Sequence, residues 1–452
     1  MTRASRTIDV EALVDRGKMS GLNYRIIALS WLITFFDGLD MMMVNFAAPY
    51  MRDDLGLSKV MLGNMFSAGT VGMVLGGFAF SYLGDRMGRR PTILCATLMF
   101  GVLTILTGFA GTYEQLILLR LANGVAIGGL LPLAWALNME FVPSRRRATV
   151  VTVIMIGFSV GGAAAGPLTN LLAPSHGWQS VYLVGGAGTL VCTAGLVVGL
   201  PESIHFLVIK HRHAAVAAML RRLQPDLDVQ PGDDFLLGSE RSHHVPVNVR
   251  ALFEGPLKLI TPLLWLGYGA SSMAIYFLSS WGPILLEELR IPRSTAASVS
   301  ALGGLAGAAA ALFLARFTDR YGVAVAGIYP ALVIPVLLLV GSGLAMPVML
   351  VPLVVVTVVL ISGGHAAMVS IAGLFYPSSI RASGAGWVAS IGKLGGVFGP
   401  VIGAQILSSD IPVVRTYALL AVCPALVCLC VGYIGYSGRR GRRDHAVAAL
   451  AR

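Results

Sequence analysis

The sequence predicts an all-α integral membrane protein with twelve transmembrane helices in two six-helix, pseudo-symmetric bundles. Three observations predict it. The 452 residues are 56% hydrophobic and 12% charged, with mean hydropathy +0.77, whereas soluble domains carry about 25% charged residues. The apolar runs each extend about 20 residues or more, the length a helix needs to cross a bilayer at about 1.5 Å per residue. The chain also repeats itself. The run Leu83–Gly88 (LGDRMG) returns as Phe317–Gly322 (FTDRYG) and Pro143–Ala148 (PSRRRA) as Pro377–Ala382 (PSSIRA), both 234 residues on; Gly162–Pro167 (GAAAGP) returns as Gly395–Pro400 (GGVFGP) after 233. Parallel six-span repeats are a common build of membrane carriers, with the substrate site between the halves at the midplane.

In chain order, the apolar runs place spans at about 25–49, 60–82, 91–111, 114–139, 148–172 and 178–200, then 258–286, 295–315, 323–345, 347–375, 382–408 and 412–436. This gives an N-terminal tail (1–24), a first bundle (25–200), a linker (201–257), a second bundle (258–436) and a C-terminal tail (437–452). The linker has helical stretches around a Pro/Gly/Asp-rich middle, and over 201–258 it balances seven basic against seven acidic side chains. It reads as a cytoplasmic connector and not a catalytic domain. Residues 1–24 show no short apolar core followed by a cleavage site, so the first span is expected to stay as an anchor.

The net charge of +11 is distributed by topology. With both termini inside, 26 of the 33 Lys and Arg residues fall on the inner side, and five on the outer: Arg52, Lys59, Arg290, Arg293 and Arg415. That is the positive-inside bias, and it places both termini in the cytoplasm of a bacterial inner membrane. The basic run of Arg439, Arg440, Arg442 and Arg443 reads as a juxtamembrane anchor to anionic lipid, not a nucleic-acid face. The five cysteines all lie inside spans without metal-ligand spacing and read as small buried residues. No phosphate loop is present, so the energy source is expected to be an ion gradient and no cofactor.

Asp37 and Asp40 stand in the middle of the first span, about 18 and 22 Å from its inner end and on one helix face. Ionisable groups at that depth cost roughly 2.5–3.5 kcal/mol each and mark ion or proton routes. Two carboxylates close together in a low dielectric repel, which favours a proton on one of them; the alternative is a structural pair hydrogen-bonded to neighbours. Arg120 enters span four about 9 Å from the outer end and Asp40 lies about 13 Å from it, so the depths suit an ion pair with Asp40 or Asp37. A fixed Arg capping backbone carbonyls is the other reading. Lys393, about 17 Å into span eleven, would hold an anionic group or bridge to one of the two aspartates. His365 would bond a substrate hydroxyl, relay protons, or rest as a satisfied interior histidine. Trp135, Asn138, Tyr276 and Trp281 would offer ring walls and an amide, although Tyr and Trp near span ends are commonly interface anchors. Asp85, Arg86, Arg89 and Arg90, with Glu140, Arg147, Asp319, Arg320 and Arg381, sit at inner helix junctions spaced for a charge latch; positive-inside signals explain the basic ones alone.

The loop G84-D-R-M-G-R-R90 resembles the signature of the major facilitator superfamily, as do R120-L-A-N-G-V-A-I-G-G129 and the Gly162–Pro167 run. Within it, D37-G-L-D40 with Ala48 and Pro49, the series Arg120, Pro132, Asn138 and Glu140, and Tyr376-Pro377 with I380-R-A-S-G384 are similar to the aromatic acid:proton symporter family. The chain carries Asn45 where members usually have Gly and Lys393 where they often have Arg. The resemblance implies the major facilitator fold and proton-coupled import of a benzoate- or hydroxybenzoate-like carboxylate by alternating access. It implies proton coupling through Asp37, Asp40 and Arg120, Lys393 as the carboxylate's partner, and a latch holding the outward-facing state. It implies partners limited to the substrate, protons and lipid, with the chain acting as a monomer. A drug or other organic-anion proton-coupled antiporter is the second reading; Lys393 opposes the efflux of lipophilic cations, which calls for an acidic cavity. A membrane enzyme would need a nucleophile–base set or metal cluster, and a sensor an added signalling domain.

Overall fold

The computed structural model describes residues 7–224, 227, 229, 233–238, 249–321, 323–344, 346–376, 380–409 and 411–450. Side chains are described for all of these except 311, 312, 314–321, 323–326, 347, 369, 370, 372–374, 381–383 and 437–450. The helices, in order, are α1 (Val10–Arg16), α2 (Gly21–Leu55), α3 (Lys59–Met87), α4 (Arg89–Thr107), α5 (Tyr113–Gly128), α6 (Leu130–Phe141), α7 (Ser144–Gly199), α8 (Ile204–Ile209), α9 (His213–Leu223), α10 (Leu257–Glu288), α11 (Arg293–Tyr321), α12 (Val323–Gly341), α13 (Pro347–Phe375), α14 (Arg381–Ser408), α15 (Val413–Leu420) and α16 (Val422–Leu450). Each apolar run falls on these helices, and eight helical stretches among the described residues are long and apolar enough to span a bilayer. Two expected spans are joined in the 56-residue α7, which turns at Gly177 with φ 76°, a left-handed conformation that glycine adopts without a Cβ penalty. Span four is split into α5 and α6, with Gly129 between them. Pro132 lacks the N–H that would bond the Gly128 carbonyl, which weakens the helix there.

The chain divides into two compact units. The first comprises Met1–Met43, Val71–Ala165 and Leu172–Val245. In it, α2 packs against α7 without a side-chain layer between them: a Cβ at Gly38 would overlap the Phe158 backbone, and one at Gly161 the Phe35 carbonyl. That close approach is the reason for the small-residue run of span five. The linker folds onto the same unit. The strand β1 (Thr7–Asp9) pairs in parallel with β2 (Asp234–Leu236), and Val10, Val14, Leu207, Val216, Leu220 and Phe235 join its apolar core. Asp9 starts α1 by accepting from the Ala12 N–H at 3.1 Å.

The second unit comprises Val44–Thr70, Gly166–Leu171 and Pro246–Arg452. It therefore takes the C-terminal end of α2, the start of α3 and a short piece of α7 together with the C-terminal helices. Specific bonds explain this grouping. Ser67 Oγ donates to the Val397 carbonyl at 2.6 Å, Lys59 Nζ to that of Leu407 at 3.0 Å, and Asn170 Nδ2 to that of Ser294 at 2.9 Å. Charges add to them: Arg52 meets Glu287 at 3.4 Å, Lys59 meets Glu288 at 2.6 Å, and Arg293 pairs with both Glu287 and Asp53. Single exposed pairs contribute about 0–1 kcal/mol, but a network sharing an Arg fork is more effective.

Candidate functional site

The first unit's interior holds a buried charge network on α2, α4 and α5. Arg120 and Asn123 are three residues apart on α5, so both present donors on one face. Asp40 Oδ2 accepts from Arg120 Nη1 at 2.9 Å and from Asn123 Nδ2 at 3.1 Å, while Oδ1 accepts from Thr104 Oγ1 of α4 at 3.2 Å. Asp40 is 3% and Arg120 5% exposed. The Arg120 guanidinium also covers the Tyr182 ring, 5.6 Å from its centre. Of the two carboxylates that the depths allow, Asp40 is the ion-pair partner. Asp37, one turn away, is fully buried, and neither of its oxygens accepts a hydrogen bond among the described residues.

Thr104, Asn123 and Tyr182 were not singled out by sequence reasoning. Asn123 had a signal: an amide three residues after a membrane arginine shares its face. Asn138 and Trp135 lie on α6 of the same unit. Asn138 Nδ2 donates to Ser30 Oγ at 2.7 Å and to the Ala134 carbonyl at 2.8 Å, tying α6 to α2. Trp135 is half-buried against Val142, Val150 and Ile154, and its indole N–H has no hydrogen-bond partner among the described residues.

The second unit gathers a polar–aromatic set on α10, α13 and α14. Lys393 is exposed and makes no ion pair among the described residues. On either side of it along α14, a Cβ at Gly392 would meet the Tyr268 ring and one at Gly396 the Tyr276 ring. Thus two phenols of α10 flank the lysine's turn. His365 Nδ1 lies 3.1 Å from Ser271 Oγ, and its ring is 5.1 Å from that of Tyr268. Tyr268 and Ser271 were also missed in the sequence, where single polar residues in an apolar run give no direction. Trp281 is elsewhere: it is fully buried, stands edge-on to Phe66 at 5.6 Å, and donates its N–H to the Pro400 carbonyl at 3.0 Å. The structure therefore makes it a packing residue and not a free wall, because both its face and its donor are used.

Of the charges expected at inner helix junctions, Arg89 and Glu140 form an ion pair. Glu140 also accepts from Ser203 Oγ at 2.7 Å and from the His205 N–H at 3.2 Å, so the linker's first turn closes over the pair. Arg90 donates to the Val197 carbonyl at 2.7 Å, and its own N–H reaches Glu202 at 3.1 Å. Arg147 donates to the Val142 carbonyl at 3.2 Å, and Arg86 stacks on Tyr82 at 4.5 Å. Asp85 is exposed and without a hydrogen bond or ion pair among the described residues. The side chains of Asp319, Arg320 and Arg381 lie outside the described residues.

The sequence profile of the Major Facilitator Superfamily matches residues 30–400. The chain belongs to the major facilitator superfamily. It is accordingly a multi-pass membrane transporter and not an enzyme. Among curated proteins, this superfamily member is 33% identical over 413 residues to the 4-hydroxybenzoate transporter PcaK of Pseudomonas aeruginosa, covering 89% of this chain and 90% of that protein. It is 32% identical over 418 residues to a gallate transporter of Pseudomonas putida, covering 91% and 92%. Among solved structures it is similar to the xylose transporter XylE from E. coli in a partially occluded inward-open conformation. The TM-score is 0.70 at 14% identity, over 91% of this chain and 97% of that one, which shows the shared fold.

Proposed function

We propose that this superfamily member imports an aromatic carboxylate of the benzoate and hydroxybenzoate class into the cell together with protons, by alternating access. The observation that carries the reading is the buried set of Asp37, Asp40 and Arg120, in which one carboxylate is ion-paired and the other has no donor among the described residues. Such a set offers a proton site beside a fixed charge, as a carrier driven by a proton gradient requires. The names of the curated relatives support the substrate class. Lys393 supplies a cation for the carboxylate, Tyr268 and Tyr276 flank it with ring faces, and the Ser271–His365 pair offers a hydrogen bond to a ring hydroxyl. The inner-membrane location, cytoplasmic termini, monomeric state and absence of a resident cofactor belong to the same proposal.

Uptake into proteoliposomes with an imposed pH gradient, over a panel of aromatic acids, tests it. Benzoate or hydroxybenzoate uptake should rise several-fold when the outside is more acidic. Uptake indifferent to the gradient would remove the symport reading, and counterflow of lipophilic cations would replace it with antiport.

A further inference from the structure

Asp37 and Asp40 share a helix face, yet their surroundings differ. All three donors that reach Asp40 come from other helices: Arg120 and Asn123 of α5 at 2.9 and 3.1 Å, and Thr104 of α4 at 3.2 Å. Asn123 Nδ2 also approaches Thr104 Oγ1 at 3.4 Å, so the two neutral residues order each other as well as the carboxylate. Asp37, fully buried, receives none among the described residues. A buried carboxylate keeps its charge when ion-paired and hydrogen-bonded, and one with no donor is costly to ionise. The charged and titratable groups facing the pair are Arg120, the Tyr182 phenol of α7 behind it, and each aspartate for the other.

Resting on the symport reading above, we infer that Thr104 and Asn123 are positioning residues that hold Asp40 as the fixed anion of Arg120, so that the transported proton is carried by Asp37. In each cycle one proton joins an Asp37 oxygen from the outer water and returns to water inside, and no bond of the substrate is made or broken. Asp40 serves as the constant counter-charge that keeps Arg120 tolerable in the interior in both states of Asp37. Without the Thr104 hydroxyl and the Asn123 amide, Asp40 loses two of its three donors and competes with Asp37 for the proton.

The test uses the full-length protein in proteoliposomes with benzoate and 4-hydroxybenzoate as probes. Wild-type uptake that ignores the pH gradient would overturn the symport reading and this inference with it. If wild type responds, the variants decide the inference alone. The Thr104→Val/Asn123→Ala double variant is expected to move the external pH of half-maximal uptake by about one unit, about tenfold in proton concentration, while counterflow exchange persists. Thr104→Ser restores the wild-type profile. Asp37→Asn loses stimulation by the gradient, with counterflow still detectable as the sign of a folded carrier. A wild-type pH profile in the double variant, or gradient-driven uptake in Asp37→Asn, overturns the assignment. Should the double variant fail to fold, Thr104→Val alone and Asp37→Asn carry the decision.

Discussion

Removing the Arg120 guanidinium leaves Asp40 with two neutral donors at a position 3% exposed. Breaking one side of a buried pair costs about 3–5 kcal/mol. Arg120→Leu is therefore expected to lose gradient-driven uptake and to lower the thermal midpoint of the purified carrier markedly; an unchanged midpoint would contradict the buried pair. Trp281 predicts the opposite division. Trp281→Phe deletes the bond to Pro400 and should cost about 1–2 kcal/mol of stability with substrate affinity unchanged, whereas a tenfold affinity loss would return it to the binding site. At this scale the charged residues were legible, because an ionised group in an apolar span has few reasons to be there. Thr104 was not. Thr97 and Thr107 in the same helix bond their own carbonyls at Ile93 and Leu103, and nothing in the sequence separates Thr104 from them. Tyr268 escaped notice for a similar reason, since its role depends on the glycine it overlies on another helix.

The apolar runs announced the helices, but not the split of span four at Gly129 or the turn at Gly177 within α7. The pairing of β1 with β2 was not readable: each strand is three residues long, too short for an alternating pattern to register. The linker's docking on the first unit likewise depends on single contacts such as Ser203 on Glu140. A contact between α1 and the start of α7 makes a pH prediction. The Ser144 backbone N–H, 2.7 Å from Asp15 Oδ1, holds that carboxyl below its ordinary value of 3.8, with Arg147 and Arg145 adding to the effect. A lowered value in the folded state means that the contribution is present above pH 3.8 and is lost as pH falls below it. Between pH 6 and 3, Asp15→Asn should flatten part of the acid-induced fall in the thermal midpoint. A variant curve parallel to wild type throughout would remove this contact from the stability of the first unit.

Across the whole molecule, three of the five basic residues expected on the outer side are ties within the second unit. Arg52, Lys59 and Arg293 each meet a carboxylate of Asp53, Glu287 or Glu288. The distant pairs join residues about 230–240 positions apart, such as Arg52 with Glu287, a separation no local pattern encodes. The internal repeat, by contrast, was legible because it recurs at nearly one offset, 234 or 233 residues, and the loop Gly84–Arg90 carries the resemblance to the superfamily. The central claim is that an aromatic carboxylate and a proton move inward together on a buried carboxylate set. Its most direct measurement is the internal pH of proteoliposomes, reported by a trapped dye, when benzoate or 4-hydroxybenzoate is added outside with no gradient imposed. Protein-free liposomes and the Lys393→Ala variant correct for passive entry of the free acid. The account predicts acidification of the lumen well above both controls, abolished in Asp37→Asn; alkalinisation, or no pH change beyond the controls while the acid still enters, would contradict it.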